Sequence, residues 1–160
     1  MCSSDLFAFS DDFQPADGMA RWLTGTPPML SLLALEAGVD LQLEVDRRAL
    51  AAKGDALWSL FVARLEARCG GCGFDLITPR EPSLRGSHVA LTHPEGYRIM
   101  QALIARGVIG DFRAPDVLRF AITPLYQRFE DIWRAVEILA DIMKGETWRA
   151  VPPLADGRVT

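Results

Sequence analysis

Leu50, Leu57, Phe61 and Leu65 recur on one face of a helix, while Arg47, Arg48, Asp55 and Arg64 stay largely off it. The run begins at Asp46, a residue suited to accept hydrogen bonds from the first free backbone N–H groups, and stops at Gly70, Gly71 and Gly73. A helix of this length with one apolar stripe needs a second layer to cover that stripe, and the rest of the chain has to supply it.

The segments that follow alternate between short β-rich stretches and helical runs. Phe74 to Thr78 and His88 to Thr92 read as strands around a loop containing Pro79, Pro82 and Gly86. Thr92-His93-Pro94-Glu95 has the form of a capping box, and Tyr97, Met100, Leu103 and Ile104 then follow at helical spacing until Gly107. Val108 to Phe112 and Val117 to Ile122 make a second strand pair around Arg113-Ala114-Pro115. Phe129, Ile132, Trp133, Val136, Leu139 and Ile142 mark a last helix, closed by Gly145. Upstream, the apolar run from Met29 to Val39 is too long for a typical strand and predicts a buried helix, with Pro27 and Pro28 in its first turn. The order helix, helix, strand, strand, helix, strand, strand, helix predicts an α+β layer, a mainly antiparallel sheet with helices on one face. Residues 146–160 carry no period and read as a surface extension. Trp22, Trp58 and Trp133 sit in apolar patterns and are expected in the core, with Trp148 in the tail.

The chain opens with Met1-Cys2-Ser3-Ser4-Asp5-Leu6, which resembles the translated tail of a sequencing adapter, so residues 1–6 are expected to be a non-native leader. A formal net charge of -4 with scattered basic residues gives no footprint for nucleic acid or an anionic membrane surface. No apolar run reaches the roughly 18 residues of a membrane span, and the start lacks the pattern of a signal peptide, so a soluble cytoplasmic chain is expected. Three cysteines do not form a disulfide framework. Cys69-Gly70-Gly71-Cys72 has metal or redox spacing, but a closed zinc site needs a second ligand pair and His88 and His93 are the only histidines, so no metal is expected. The plainer reading is a glycine-rich helix exit that holds two thiols.

Two features could carry chemistry. Gly25-Thr26-Pro27-Pro28 places a hydroxyl beside the free N–H groups of a helix start, which favours an anion, although capped helices commonly bind nothing. Arg119, between Leu118 and Phe120, needs a carboxylate partner that it can grip through two parallel hydrogen bonds. If that carboxylate belongs to the chain the arginine is structural; if not, it holds a ligand. Lys53 lies in the exposed pattern of a helix and Lys144 at a helix end, neither the desolvated pocket that a covalently reacting lysine needs.

Ala20-Arg21-Trp22-Leu23-Thr24-Gly25-Thr26-Pro27-Pro28, Thr78-Pro79-Arg80-Glu81-Pro82 with Arg85-Gly86-Ser87-His88-Val89, His93-Pro94-Glu95-Gly96-Tyr97, Arg106-Gly107-Val108-Ile109-Gly110-Asp111, and Leu118-Arg119-Phe120 with Thr123-Pro124-Leu125-Tyr126 together resemble the bacterial kynureninases. The likeness runs in the family's order from about Phe7 to Trp148. It implies the C-terminal part of a homodimeric enzyme of the aspartate-aminotransferase fold. Such an enzyme uses pyridoxal 5'-phosphate to split L-kynurenine, or its 3-hydroxy form, into anthranilate, or 3-hydroxyanthranilate, and L-alanine. By the same likeness residues 7–28 lead in from a large domain, residues 29–145 form the small α+β domain with its connecting helix, and residues 146–160 are a tail. Thr26 matches the contact to the cofactor phosphate, Arg119 the clamp on the substrate α-carboxylate, and Gly25 a position beside the substrate. The cofactor-bearing lysine and its neighbours have no counterpart in this chain, which implies no catalytic residue here and no activity for the chain alone. The rival expectations are a freestanding α+β module that binds a small carboxylate without catalysis, and a structural piece that binds nothing.

Overall fold

The structure, a computed structural model, describes residues 15–22 and 25–154. The expected leader 1–6 lies outside the described residues, as do much of the lead-in 7–28 and the last six residues of the tail. The chain divides into two units, 1–46 and 47–160.

The first unit contains a short 3-10 turn, Gly18–Trp22, and helix α1, Met29–Leu43. The apolar run does form a helix, but none of its residues is buried, and Leu30 is 85% exposed. Apolar residues spread around α1, so no single stripe tells which side should be covered. Trp22 is exposed as well, which corrects its expected place in the core.

The second unit holds α2 (Arg47–Cys69), β1 (Asp75–Leu76), β2 (His88–Thr92), α3 (Gly96–Ala105), β3 (Asp111–Arg113), β4 (Val117–Ala121) and α4 (Phe129–Lys144). The four strands form one antiparallel sheet in the order β1-β2-β4-β3, as the α+β reading expects. Alternation along the strands sends Val89 and Leu91 of β2, Leu118 and Phe120 of β4, and Phe112 of β3 to one face. There they join Leu57, Phe61 and Leu65 of α2, Ile99 and Leu103 of α3, and Val136 and Leu139 of α4 in one core. Phe61 meets Phe120 with ring centroids 5.2 Å apart, which seats α2 on the sheet. Each fully buried side chain of this size stabilises the fold by about 1.5–3 kcal/mol.

Several boundaries move from their expected places. The N-cap of α3 is Glu95, and Thr92 closes β2, so the capping box expected at Thr92 does not form. His93 makes the local bonds instead: its Nδ1 accepts the Glu95 N–H at 2.9 Å, which leaves Nε2 to donate to the Cys72 carbonyl at 3.1 Å. Trp133 is 45% exposed, which corrects its expected place in the core, and the Arg64 guanidinium stacks on it at 3.4 Å from its ring centroid. Trp148, by contrast, is buried in a 3-10 turn, Thr147–Ala150, and packs into the core cluster. The tail up to Leu154 is therefore not a loose surface extension. Arg98 of α3 holds it, donating from Nη2 to the Arg149 carbonyl at 2.5 Å and from Nε to the Val151 carbonyl at 2.7 Å.

Candidate functional site

Since Leu118 and Phe120 point into the core, the pleat turns Arg119 to the opposite face of the sheet. Its neighbours there are set by register: Ala90 across β2, and Asp111 across β3. Arg119 and Asp111 form a fork, with Nε donating to Oδ1 at 2.8 Å and Nη2 donating to Oδ2 at 2.5 Å. The same Oδ2 accepts from Arg113 Nε at 3.1 Å, and Arg113 Nη2 lies 3.0 Å from it in an ion pair. One carboxylate thus serves two guanidiniums, and the three groups together keep one net positive charge. Hydrogen bonding to Arg119 holds the Asp111 carboxyl below its ordinary value, with Arg113 adding to the effect. The Arg119 guanidinium is raised in turn, chiefly by its hydrogen bond to Asp111.

The pair lies open to solvent, with the Arg119 side chain 38% exposed and that of Asp111 43% exposed. Arg119 and Asp111 line a cavity of about 320 Å³ together with His88, Ile109, Gly110 and Ala121. Gly110 lets this wall form. A Cβ there would lie 2.7 Å from the Arg119 carbonyl oxygen and 2.8 Å from Met100 Cε, so the segment carrying Asp111 could not approach β4 so closely with any side chain at that position. The result is a guanidinium that is oriented, solvent-accessible and set beside apolar Ile109, an arrangement suited to a small molecule with a carboxylate and an apolar body.

Thr26 and Gly25 belong to the first unit. Both are exposed, and Gly25 has φ +151, a backbone angle that side-chain-bearing residues rarely adopt. The N-cap of α1 is Pro28, with no side-chain cap hydrogen bond, so Thr26 stands two residues before the cap position expected for it. A helix start without a side-chain cap, preceded by an exposed hydroxyl, has the donor chemistry that a phosphate requires. Neither lysine stands in the desolvated pocket that a covalently reacting amine needs: Lys53, half-buried, donates to the Pro124 carbonyl at 2.6 Å, and Lys144 is exposed in the last turn of α4. Cys69 and Cys72 are free thiols, and no group of three or more metal-ligating side chains is found among the described residues. Nor is any helix among them long and apolar enough to cross a membrane.

Of the residues singled out in the sequence, the second unit therefore brings Arg119 and His88 to one cavity. Asp111 and Arg113 were not singled out. Their signal was the strand pair itself: in a hairpin turning at residues 114–116, residues flanking the turn on β3 must face residues of β4.

The family model described as "Kynureninase C-terminal domain" matches residues 50–139. A kynureninase of Burkholderia mallei (strain SAVP1) is 51% identical over 144 residues, which is 90% of this chain and 35% of that relative. A kynureninase of Pseudomonas fluorescens is 47% identical over 145 residues, 91% of this chain and again 35% of the relative. The chain thus spans about a third of the length of these curated relatives. With the family model covering more than half of its residues, the chain belongs to the kynureninase family and carries that family's C-terminal domain.

Proposed function

We propose that the protein to which this chain contributes is a hydrolase that cleaves L-kynurenine, or its 3-hydroxy form, to anthranilate, or 3-hydroxyanthranilate, and L-alanine with bound pyridoxal 5'-phosphate. The observation that carries the reading is the accessible, oriented guanidinium of Arg119 in a domain of this family. Arg119 would grip the substrate α-carboxylate through two parallel N–H donors and so fix the orientation of the bond to be broken. Gly25 would lie beside the substrate, where its lack of a side chain leaves room. The Thr26 hydroxyl and the free N–H groups at the start of α1 would hold the cofactor phosphate. When bound, the cofactor supplies an electron sink that the side chains of a protein cannot. We assign residues 7–28 to the lead-in from a large domain, residues 29–145 to the small domain with its connecting helix, and residues 146–160 to a tail. A cytoplasmic homodimer completes the proposal.

Asp111 gives Arg119 an internal partner, which is also what a purely structural arginine would have. The two readings separate in one assay. With the upstream reading frame restored, Arg119→Ala should raise KM for L-kynurenine by about 10-fold or more, the loss of a charge-assisted carboxylate contact. An unchanged KM would make the arginine structural. The 160-residue chain alone should show no kynurenine cleavage, and borohydride should trap no cofactor on Lys53 or Lys144; a trapped adduct on either would overturn the placement of the covalent chemistry outside this chain.

A further inference from the structure

Asp111 already fills the fork into which, on the reading above, a substrate carboxylate must go. Its two oxygens take the Nε and Nη2 donors of Arg119, the pair of N–H groups that would otherwise face a ligand. The same carboxylate has a second claim on it, from Arg113, which reaches only Oδ2 and does so at the longer distances of 3.0 and 3.1 Å. All three residues lie on the outer face of the β3–β4 hairpin; Asp111 and Arg119 are cross-strand partners at the wall of the cavity, and Arg113 stands two residues along β3 from Asp111. Asp111 is only part-buried, so it can rotate toward Arg113 without stranding a charge away from water.

We propose that Asp111 is an internal stand-in for the ligand carboxylate: it keeps the Arg119 guanidinium oriented while the site is free, and moves onto Arg113 when an α-amino-acid carboxylate takes its place. Asp111 and Arg113 are then positioning residues that set how tightly and how selectively Arg119 binds. A ligand must out-compete a carboxylate that is already at hand, so weak monoanions lose and a ligand with further contacts wins. The inference rests on Arg119 being a carboxylate clamp, and the test separates the two.

The experiment is a titration of the 160-residue chain with L-kynurenine and, in parallel, acetate, at low salt, followed by the arginine Nε–H resonances in NMR spectra. In the wild-type chain the Arg119 and Arg113 signals should shift together with one midpoint, because the same carboxylate leaves one and joins the other. Asp111→Asn should bind L-kynurenine about 3-fold more tightly, the size of an exposed ion pair, should gain more in affinity for acetate, and should leave the Arg113 signal still. Arg113→Gln should weaken binding more in the wild-type background than in Asp111→Asn. Unchanged or weaker binding in Asp111→Asn, with Arg119→Ala still abolishing it, would overturn the stand-in while leaving the clamp. Binding that survives Arg119→Ala, or no binding in either the wild-type chain or Asp111→Asn, would overturn both. A circular dichroism melt of each variant confirms that the fold is retained.

Discussion

At the scale of single residues, two side chains of similar sequence setting behave in opposite ways. Cys69 ends α2 and is buried, while Cys72 lies half-exposed just beyond it. Burial, with the neighbouring Cys72 adding to it, pushes the Cys69 thiol up to about 11. A thiol whose pKa is higher folded than unfolded keeps its proton better in the folded chain. The stabilisation this gives is complete below the ordinary value of 9.0 and is lost as pH rises through about 11. The expected outcome is that iodoacetamide at mildly alkaline pH alkylates Cys72 and spares Cys69, as peptide mass spectrometry of the folded chain would show. Across the same alkaline window the wild-type melting temperature should fall more than that of Cys69→Ala. Equal labelling of the two cysteines would contradict the burial on which this rests. His93, nearby, has both ring nitrogens taken by backbone groups.

At the scale of elements, the β3–β4 hairpin is held from below by α3, and the contact depends on a glycine. A Cβ at Gly96 would lie 2.8 Å from the Asp116 carbonyl oxygen, 3.0 Å from Leu118 Cδ1 and 3.2 Å from Phe112 Cε2. Helix propensity alone favours alanine over glycine by about 1 kcal/mol in a helix interior. Overpacking works against it, and Gly96→Ala is expected to destabilise the chain by about 1–3 kcal/mol in urea unfolding. A stabilised variant would mean the hairpin can shift away from α3 at little cost. This also bears on what the sequence could show. Periodicity was enough to place α2, α3 and α4, and alternation was enough to turn Arg119 away from Leu118 and Phe120. The partner of Arg119 was beyond it, because partnership depends on the register between β3 and β4, and β3 proved shorter and later than the apolar stretch 108–112 implied. The start of α3 was misplaced for a related reason: Thr92 has the right side chain for a cap but is held in the ladder with Asp75 and Val117.

At the scale of the whole molecule, every buried hydrophobic residue among those described lies at or beyond Leu57. The tryptophans make the lesson concrete: all four are apolar by type, yet Trp58 and Trp148 are covered while Trp22 and Trp133 are not, since composition does not say which surfaces meet. The second unit owns its core, so a chain trimmed to Arg47–Thr160 should still unfold in a single cooperative transition, and should bind less of an apolar-surface dye than the full 160 residues because α1 has gone. A gradual, non-cooperative melt would show that the core needs residues 1–46. Arg98 carries a different consequence. It fastens the last turn by gripping the main-chain oxygens of residues 149 and 151, and every amino acid offers the same oxygen there. The attachment itself is thus indifferent to which side chains stand at those two positions. The anchoring arginine has no such substitute, so a change at residue 98 removes both attachments at once.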